Sequence, residues 1–146
     1  MSTILSNRVQ KIKPSATLAM GERAKQLKAQ GVKIVSMGSG EPDFDTPANI
    51  KNAATQAISA GETRYTAVDG TPQLKNAICE KFKRENGLDY SVNEVMVSSG
   101  GKQVFYNLCQ AILSKGDEVI IPTPYWVSYP DIVILADATP VFIEAG

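Results

Sequence analysis

The second half of this sequence changes its hydrophobic period at short intervals, and that alternation leaves few folds open. Val95, Met96 and Val97 form a short apolar run bounded by small polar residues, which suits a strand buried on both faces. Val104, Phe105, Leu108, Cys109 and Ile112 then recur at helical spacing. Glu118 to Ile121 reads as a second strand, residues 127–136 as a helix, and Pro140 to Ile143 as a third strand. Short apolar strands joined by helices predict parallel pairing through right-handed crossovers. The fold class is therefore α/β, a mostly parallel sheet flanked by helices. In such sheets ligands bind beyond the carboxyl ends of the strands.

Gly100 and Gly101 stand where the first of these strands hands over to its helix. A glycine pair lets backbone N–H groups approach a ligand with no Cβ in the way. A helix N-terminus adds unpaired donors and a partial positive charge, a combination that suits phosphate. Lys102 and the hydroxyls of Ser98 and Ser99 could add to it. The same glycine pair also serves as plain turn chemistry in chains that bind nothing there. Neither the Walker A spacing nor G-x-G-x-x-G is present at this point. Tyr125 and Trp126 follow the second strand, so they would face the same crevice as the glycines, which favours a bound cofactor.

Charge and composition narrow the chemistry. Fifteen basic and fifteen acidic residues cancel, with no basic stripe for nucleic acid and no polybasic run for a membrane surface. No apolar run approaches a membrane span and no signal-peptide core is visible, so a cytoplasmic location is expected. Histidine is absent, which excludes Ser-His and Cys-His nucleophilic catalysis within these 146 residues. Acid–base chemistry must come from Lys, Tyr, Asp or Glu, or from a cofactor. Cys79 and Cys109 fall on apolar faces of predicted helices and read, with Phe105, as core. Neither a structural disulfide nor a metal site is expected from them.

The first half carries clearer punctuation than pattern. Residues 1–16 look like a polar arm holding Arg8, Lys11 and Lys13. A helix is predicted from Thr17 to Gln30, with Leu18, Ala24 and Leu27 apolar and Gly31 as its stop. Val32 to Met37 reads as a strand running into a loop from Gly38 to Asp45. Gly38-x-Gly40 invites a nucleotide reading, but Pro42 follows and no helix begins there. Thr46 as N-cap and Pro47 in the first turn open a helix to about Ala60. A loop from Glu62 to Gly70 holds Tyr65, and Thr71-Pro72 repeats the cap signal. Leu74, Ile78 and Phe82 then mark one packed face of a helix that ends near Gly87. A parallel sheet ending abruptly after its third strand would leave an open apolar edge. The chain is therefore expected to be the N-terminal part of something longer.

Gly38-Ser-Gly-Glu-Pro-Asp-Phe-Asp-Thr-Pro47, Tyr65-x-x-x-x-Gly70, Ser99-Gly-Gly-Lys-Gln103 and Pro124-Tyr-Trp-Val-Ser-Tyr-Pro130 stand in an order and spacing that resembles the class I aminotransferases. These are pyridoxal 5'-phosphate enzymes of the type I fold. The similarity starts at Val9-Gln-x-x-Lys13-Pro-Ser-Ala-Thr17 and covers essentially the whole chain. It is strongest toward the bacterial aspartate, or aspartate/prephenate, aminotransferase branch. The resemblance implies an incomplete type I fold. Residues 1–47 would be the N-terminal arm and small-domain segment, and 48–146 the N-terminal part of the large cofactor-binding domain.

The resemblance also implies site roles. Gly100, Gly101 and Lys102 match the turn that holds the cofactor phosphate, and Trp126 matches the aromatic that stacks on the pyridine ring and contacts substrate. Gly40 matches the glycine whose N–H meets the substrate α-carboxylate. Tyr65 matches the tyrosine that reaches the phosphate of the neighbouring subunit, which implies a homodimer with shared sites. Lys13 and Lys102 match positions linked to the distal carboxylate of dicarboxylic substrates. The plainer readings are a core aromatic for Trp126, a loop glycine for Gly40, a half-buried surface tyrosine for Tyr65 and solvated lysines.

The implied reaction moves the amino group of an acidic amino acid (aspartate or glutamate, with prephenate or arogenate as further candidates) to a 2-oxo acid. The Ser-aromatic-Ser/Ala-Lys run around the family's Schiff-base lysine is not in this sequence, nor are its pyridinium-pairing Asp and α-carboxylate-clamping Arg. No catalytic residue is assigned here, and these residues alone are not expected to transaminate. Another type I enzyme, a lyase or synthase, is the alternative within the fold. A non-catalytic truncated binding module is the alternative outside it.

Overall fold

A computed structural model describes residues 4–38 and 40–146. Each helix begins where the local chemistry can satisfy its first N–H groups. The Ser6 hydroxyl accepts from the Val9 amide at the start of α1 (Asn7–Gln10), and the Ser15 hydroxyl accepts from Leu18 at the start of α2 (Ala16–Ala29). Gly31 ends α2 in the left-handed region at φ +81°, and the Val32 amide closes back on the Leu27 carbonyl at 3.1 Å. Ala24 and Leu27 are half-buried as the apolar reading requires, whereas Leu18 on the same helix is exposed.

The third helix, α3 (Ala48–Ser59), starts one position later than its sequence signal. Pro47, not Thr46, is the N-cap, with φ −51° and ψ 142°, and no side chain caps the helix. The Pro47 carbonyl takes the first bonds, from Ile50 at 3.0 Å and Lys51 at 3.1 Å. α4 (Pro72–Lys81) follows the sequence closely, with the Thr71 hydroxyl accepting from Leu74. It runs on through a π-helical turn, Phe82–Asn86, to Gly87 at φ +66°. The predicted face is only partly covered, because Ile78 and Phe82 are half-buried and Leu74 is exposed.

A short 3₁₀ turn, Val92–Glu94, is followed by α5 (Gly101–Ile112), β1 (Glu118–Thr123), α6 (Ser128–Leu135) and β2 (Thr139–Glu144). β1 and β2 pair in parallel, with Glu118 opposite Thr139 and Thr123 opposite Glu144. Parallel neighbours need a crossover, and α6 supplies it. The chain leaves α6 through Asp137 in the left-handed region (φ 60°), with the Ala138 amide bonded to the Val133 carbonyl at 3.2 Å. The Arg8 guanidinium of α1 pairs with that Asp137 carboxylate at 3.2 Å. The buried core gathers Cys109 of α5, Ile121 of β1, Ile132 and Val133 of α6, and Ala136 and Ala138 beyond it. Phe105, Leu113 and Val119 pack against it half-buried.

The sheet has two strands among the described residues, not the three that the sequence predicts. Val95 is extended (φ −115°, ψ 129°), but the segment joins no ladder. The Val97 amide donates instead to the Asp69 carbonyl at 3.0 Å, and Met96 is 64% exposed, so this run is not buried on both faces. Val32 to Met37 likewise forms no strand. A strand exists only against a partner, and period alone does not supply one.

The chain divides into two compact units, one of Met1–Glu41 with Gly100–Gly146 and one of Pro42–Ser99. The first holds the apolar core and the β1–α6–β2 crossover. The second holds α3, α4 and the segment from Leu88 to Ser99. No helix among the described residues is long and apolar enough to cross a membrane.

Candidate functional site

The N-terminus of α5 is built to leave donors free. Gly100 is its N-cap at φ +91°, a backbone conformation that glycine adopts without penalty. No side chain caps the helix. The Gly100 carbonyl accepts from Gln103 at 3.1 Å and from Val104 at 3.3 Å, so the Gly101 and Lys102 amides precede the first intrahelical bond. A Cβ added at Gly100 or Gly101 would meet nothing within 4 Å. These amides border open space, and the helix dipole favours an anion there.

Beside this terminus lies a cavity of about 650 Å³, lined by Gly101, Lys102, Phe105, Pro122, Trp126, Ser128 and Tyr129 together with residues of β1. Two features bring Trp126 to it. β1 ends at Thr123, and the Tyr129 amide bonds to the Trp126 carbonyl at 3.0 Å as α6 begins. Trp126 is 52% exposed and lines the cavity. Its ring lies under the Lys102 ammonium, 5.9 Å from the ring centre, within cation–π range. The crevice expected between the two strand ends therefore joins the glycine turn to Trp126. Tyr125 takes no part in it and stacks on Phe142 of β2 with ring centres 5.0 Å apart.

Phe105 and Tyr129 are among the lining residues that escape the sequence reading. Phe105, read as core, is half-buried and faces the cavity, with its ring edge-on to Tyr129 at 5.1 Å. The available signal was spacing: Tyr129 lies three residues after Trp126, and Phe105 four after Gly101. Cys109 is 3% exposed in the core, where burial pushes its thiol pKa up and keeps it neutral. Cys79, also read as core, is only half-buried and lies outside the apolar cluster.

The other candidates lie apart from this wall. Lys13 is exposed just before α2, and Gly40 is exposed with nothing within 4 Å of a Cβ built on it. Tyr65 belongs to the Pro42–Ser99 unit and is fully exposed, more so than the half-buried surface tyrosine of the plainer reading. Among the described residues no cluster of His, Cys, Asp or Glu could hold a metal ion.

The profile of aminotransferase class I and II matches residues 32–145. The chain is 59% identical over 142 residues to an aspartate/prephenate aminotransferase of Cereibacter sphaeroides, covering 97% of this chain and 36% of that protein. It is 61% identical over 142 residues to the aspartate/prephenate aminotransferase of Nitrosomonas europaea, with the same shares covered. Among solved structures, the aspartate aminotransferase of Rhizobium meliloti superposes with a TM-score of 0.93 at 50% identity, over 99% of this chain and 36% of that one. The Thermus thermophilus aspartate aminotransferase with maleate gives 0.92 at 50% identity, over 98% and 37%. The chain thus spans about 36% of the length of these relatives. Aminotransferases of this family depend in general on pyridoxal phosphate. With the parallel α/β crossover, the glycine turn and the matched profile together, the chain belongs to the class I and II aminotransferases.

Proposed function

We propose that this chain supplies the phosphate cradle and ring-stacking wall of an aspartate aminotransferase-like enzyme that binds pyridoxal 5'-phosphate. The observation that carries the reading is the cavity where the uncapped Gly101 and Lys102 amides meet the half-exposed Trp126 ring. The residues fit the group. Free N–H donors at a helix terminus suit a phosphate dianion, and the flat indole suits a pyridine ring. Gly101 leaves the approach clear, since a side chain there would occupy the space next to the donors. When bound, the cofactor supplies an electron sink for reaction at the substrate α-carbon.

This chain's own groups bind and orient. The α5 terminus fixes the phosphate end, and Trp126 fixes the plane of the ring. The Lys102 ammonium, held over Trp126, places a positive charge at the cavity wall. Lys13 and Lys102 would favour a substrate with a second carboxylate, and Gly40 would offer its N–H to the α-carboxylate. Tyr65 would reach the phosphate in the neighbouring subunit of a homodimer. Within this reading residues 1–47 are arm and small-domain segment, and 48–146 belong to the cofactor domain. The Schiff-base lysine is not among these residues.

The test is a product assay on the native protein as its own cells make it, given L-aspartate and 2-oxoglutarate. Oxaloacetate and glutamate in equal amounts are expected. Ammonia or carbon dioxide in their place would overturn transamination and assign a lyase or decarboxylating reaction.

A further inference from the structure

Among the described residues of the Pro42–Ser99 unit, Lys75 is the one buried residue, 8% exposed. A buried lysine is uncommon because its ammonium loses water, and it persists where a partner makes up the loss. The partner is Asp69, whose carboxylate takes the Lys75 ammonium in a close ion pair. Asp69 and Gly70 are the last two residues of the Glu62–Gly70 loop, and further ties converge on them. The Asp69 carbonyl accepts from the Val97 amide at 3.0 Å, and the Gly70 amide donates to the Ala67 carbonyl at 3.1 Å. Gly70 sits at φ +109° so tightly against Val97 that a Cβ would come 2.7 Å from its Cγ2. At the other end the Glu62 amide closes on the Ala57 carbonyl of α3 at 3.0 Å.

Between these pinned ends, Tyr65 and Val68 are almost wholly exposed, 107% and 97%. A loop with a locked root and a bare aromatic tip presents that ring at low ordering cost to whatever binds it. We propose that the Lys75–Asp69 pair bolts the root of the Glu62–Gly70 loop and makes Lys75 a positioning residue for Tyr65 at the cofactor phosphate of a neighbouring subunit. The proposal rests on the reading of Tyr65 given under the proposed function. Lys75 touches neither cofactor nor substrate in it and acts through the loop.

The experiment uses the native protein with Lys75→Met, Lys75→Arg, Tyr65→Phe and the Lys75→Met/Tyr65→Phe pair. Two quantities are read, amide hydrogen exchange over residues 62–70 and the dissociation constant for pyridoxal 5'-phosphate. Lys75→Met is expected to speed loop exchange roughly threefold to tenfold, between the worth of an exposed and a buried pair. It should weaken cofactor binding, with little added loss in the pair, and Lys75→Arg should restore both. Unchanged loop exchange in Lys75→Met overturns the bolt. Weakened binding in Tyr65→Phe beside normal binding in Lys75→Met overturns the positioning role alone. Normal binding in Tyr65→Phe overturns the Tyr65 reading and the positioning role with it. Should Lys75→Met fail to fold, Asp69→Asn removes the same pair from its half-exposed side and is read the same way.

Discussion

The two compact units bury different things. In the unit that contains Gly100–Gly146, every buried residue among those described is apolar, and α6 contributes Ile132 and the fully enclosed Val133. In the Pro42–Ser99 unit the buried residue is Lys75, while α3 buries nothing among the described residues. One unit closes around an apolar core at the parallel crossover, whereas the buried centre of the other is an ion pair beside a close glycine. Apolar burial is non-directional and tolerant of small shifts, whereas the polar set depends on particular atoms meeting. The cavity wall stands on the first kind of support, and the exposed Tyr65 loop on the second.

That contrast can be broken most forcefully at Val133. Val133→Ala should lower unfolding free energy by about 2–3 kcal/mol, because it empties space in a fully enclosed site. Denaturant unfolding of the native protein checks it, and a loss under about 0.5 kcal/mol would mean that the core closes over the gap.

Glycine substitutions sharpen the difference next. Gly70→Ala forces a Cβ against Val97 at a positive φ and should lose about 2 kcal/mol. Gly101→Ala meets open space inside the first turn of a helix and should leave stability within about 0.5 kcal/mol, while weakening phosphate binding. Equal stability losses at the two positions would erase the distinction between a packing glycine and a ligand-facing one.

Acid supplies the smallest and most selective effect. The Lys75 ammonium holds the Asp69 carboxyl below its ordinary 3.8. A lowered folded value means that the stabilisation is fully present above 3.8 and is lost as pH falls through the folded value. Wild type should therefore be slightly more stable than Asp69→Asn near neutrality, with the gap closing in strong acid. A gap independent of pH would remove the ion pair from the account.

The legible parts of the fold were those that the chain specifies locally. Thr71 before Pro72 and the glycines after α2 and α4 each act within a turn, and the structure realises them, whereas the Ser15 cap of α2 falls inside the stretch read as a polar arm. β1, α6 and β2 were legible because their partners lie within the same stretch. Val32 to Met37 and Val95 to Val97 read equally well as strands, yet no ladder forms on them, because pairing is a property of two segments. At the site, Gly101, Lys102 and Trp126 were named from sequence and line one cavity. Phe105, which reads as core, packs half-buried against the core and lines the cavity as well, because helical period reports an apolar face without reporting what that face meets. Lys75 carried no signal at all, since lysine beside Leu74 on a helix reads as solvated until Asp69 is brought to it.

Under the proposed function the Gly101 turn and Trp126 hold two different ends of one ligand. The most direct test of this compares the affinity of the native protein for pyridoxal 5'-phosphate and for pyridoxal, with Gly101→Val and Trp126→Ala alongside. Gly101→Val is expected to abolish most of the preference for the phosphorylated form, while Trp126→Ala weakens both ligands by the same factor. A phosphate preference that survives Gly101→Val, or affinities that ignore Trp126→Ala, would contradict it.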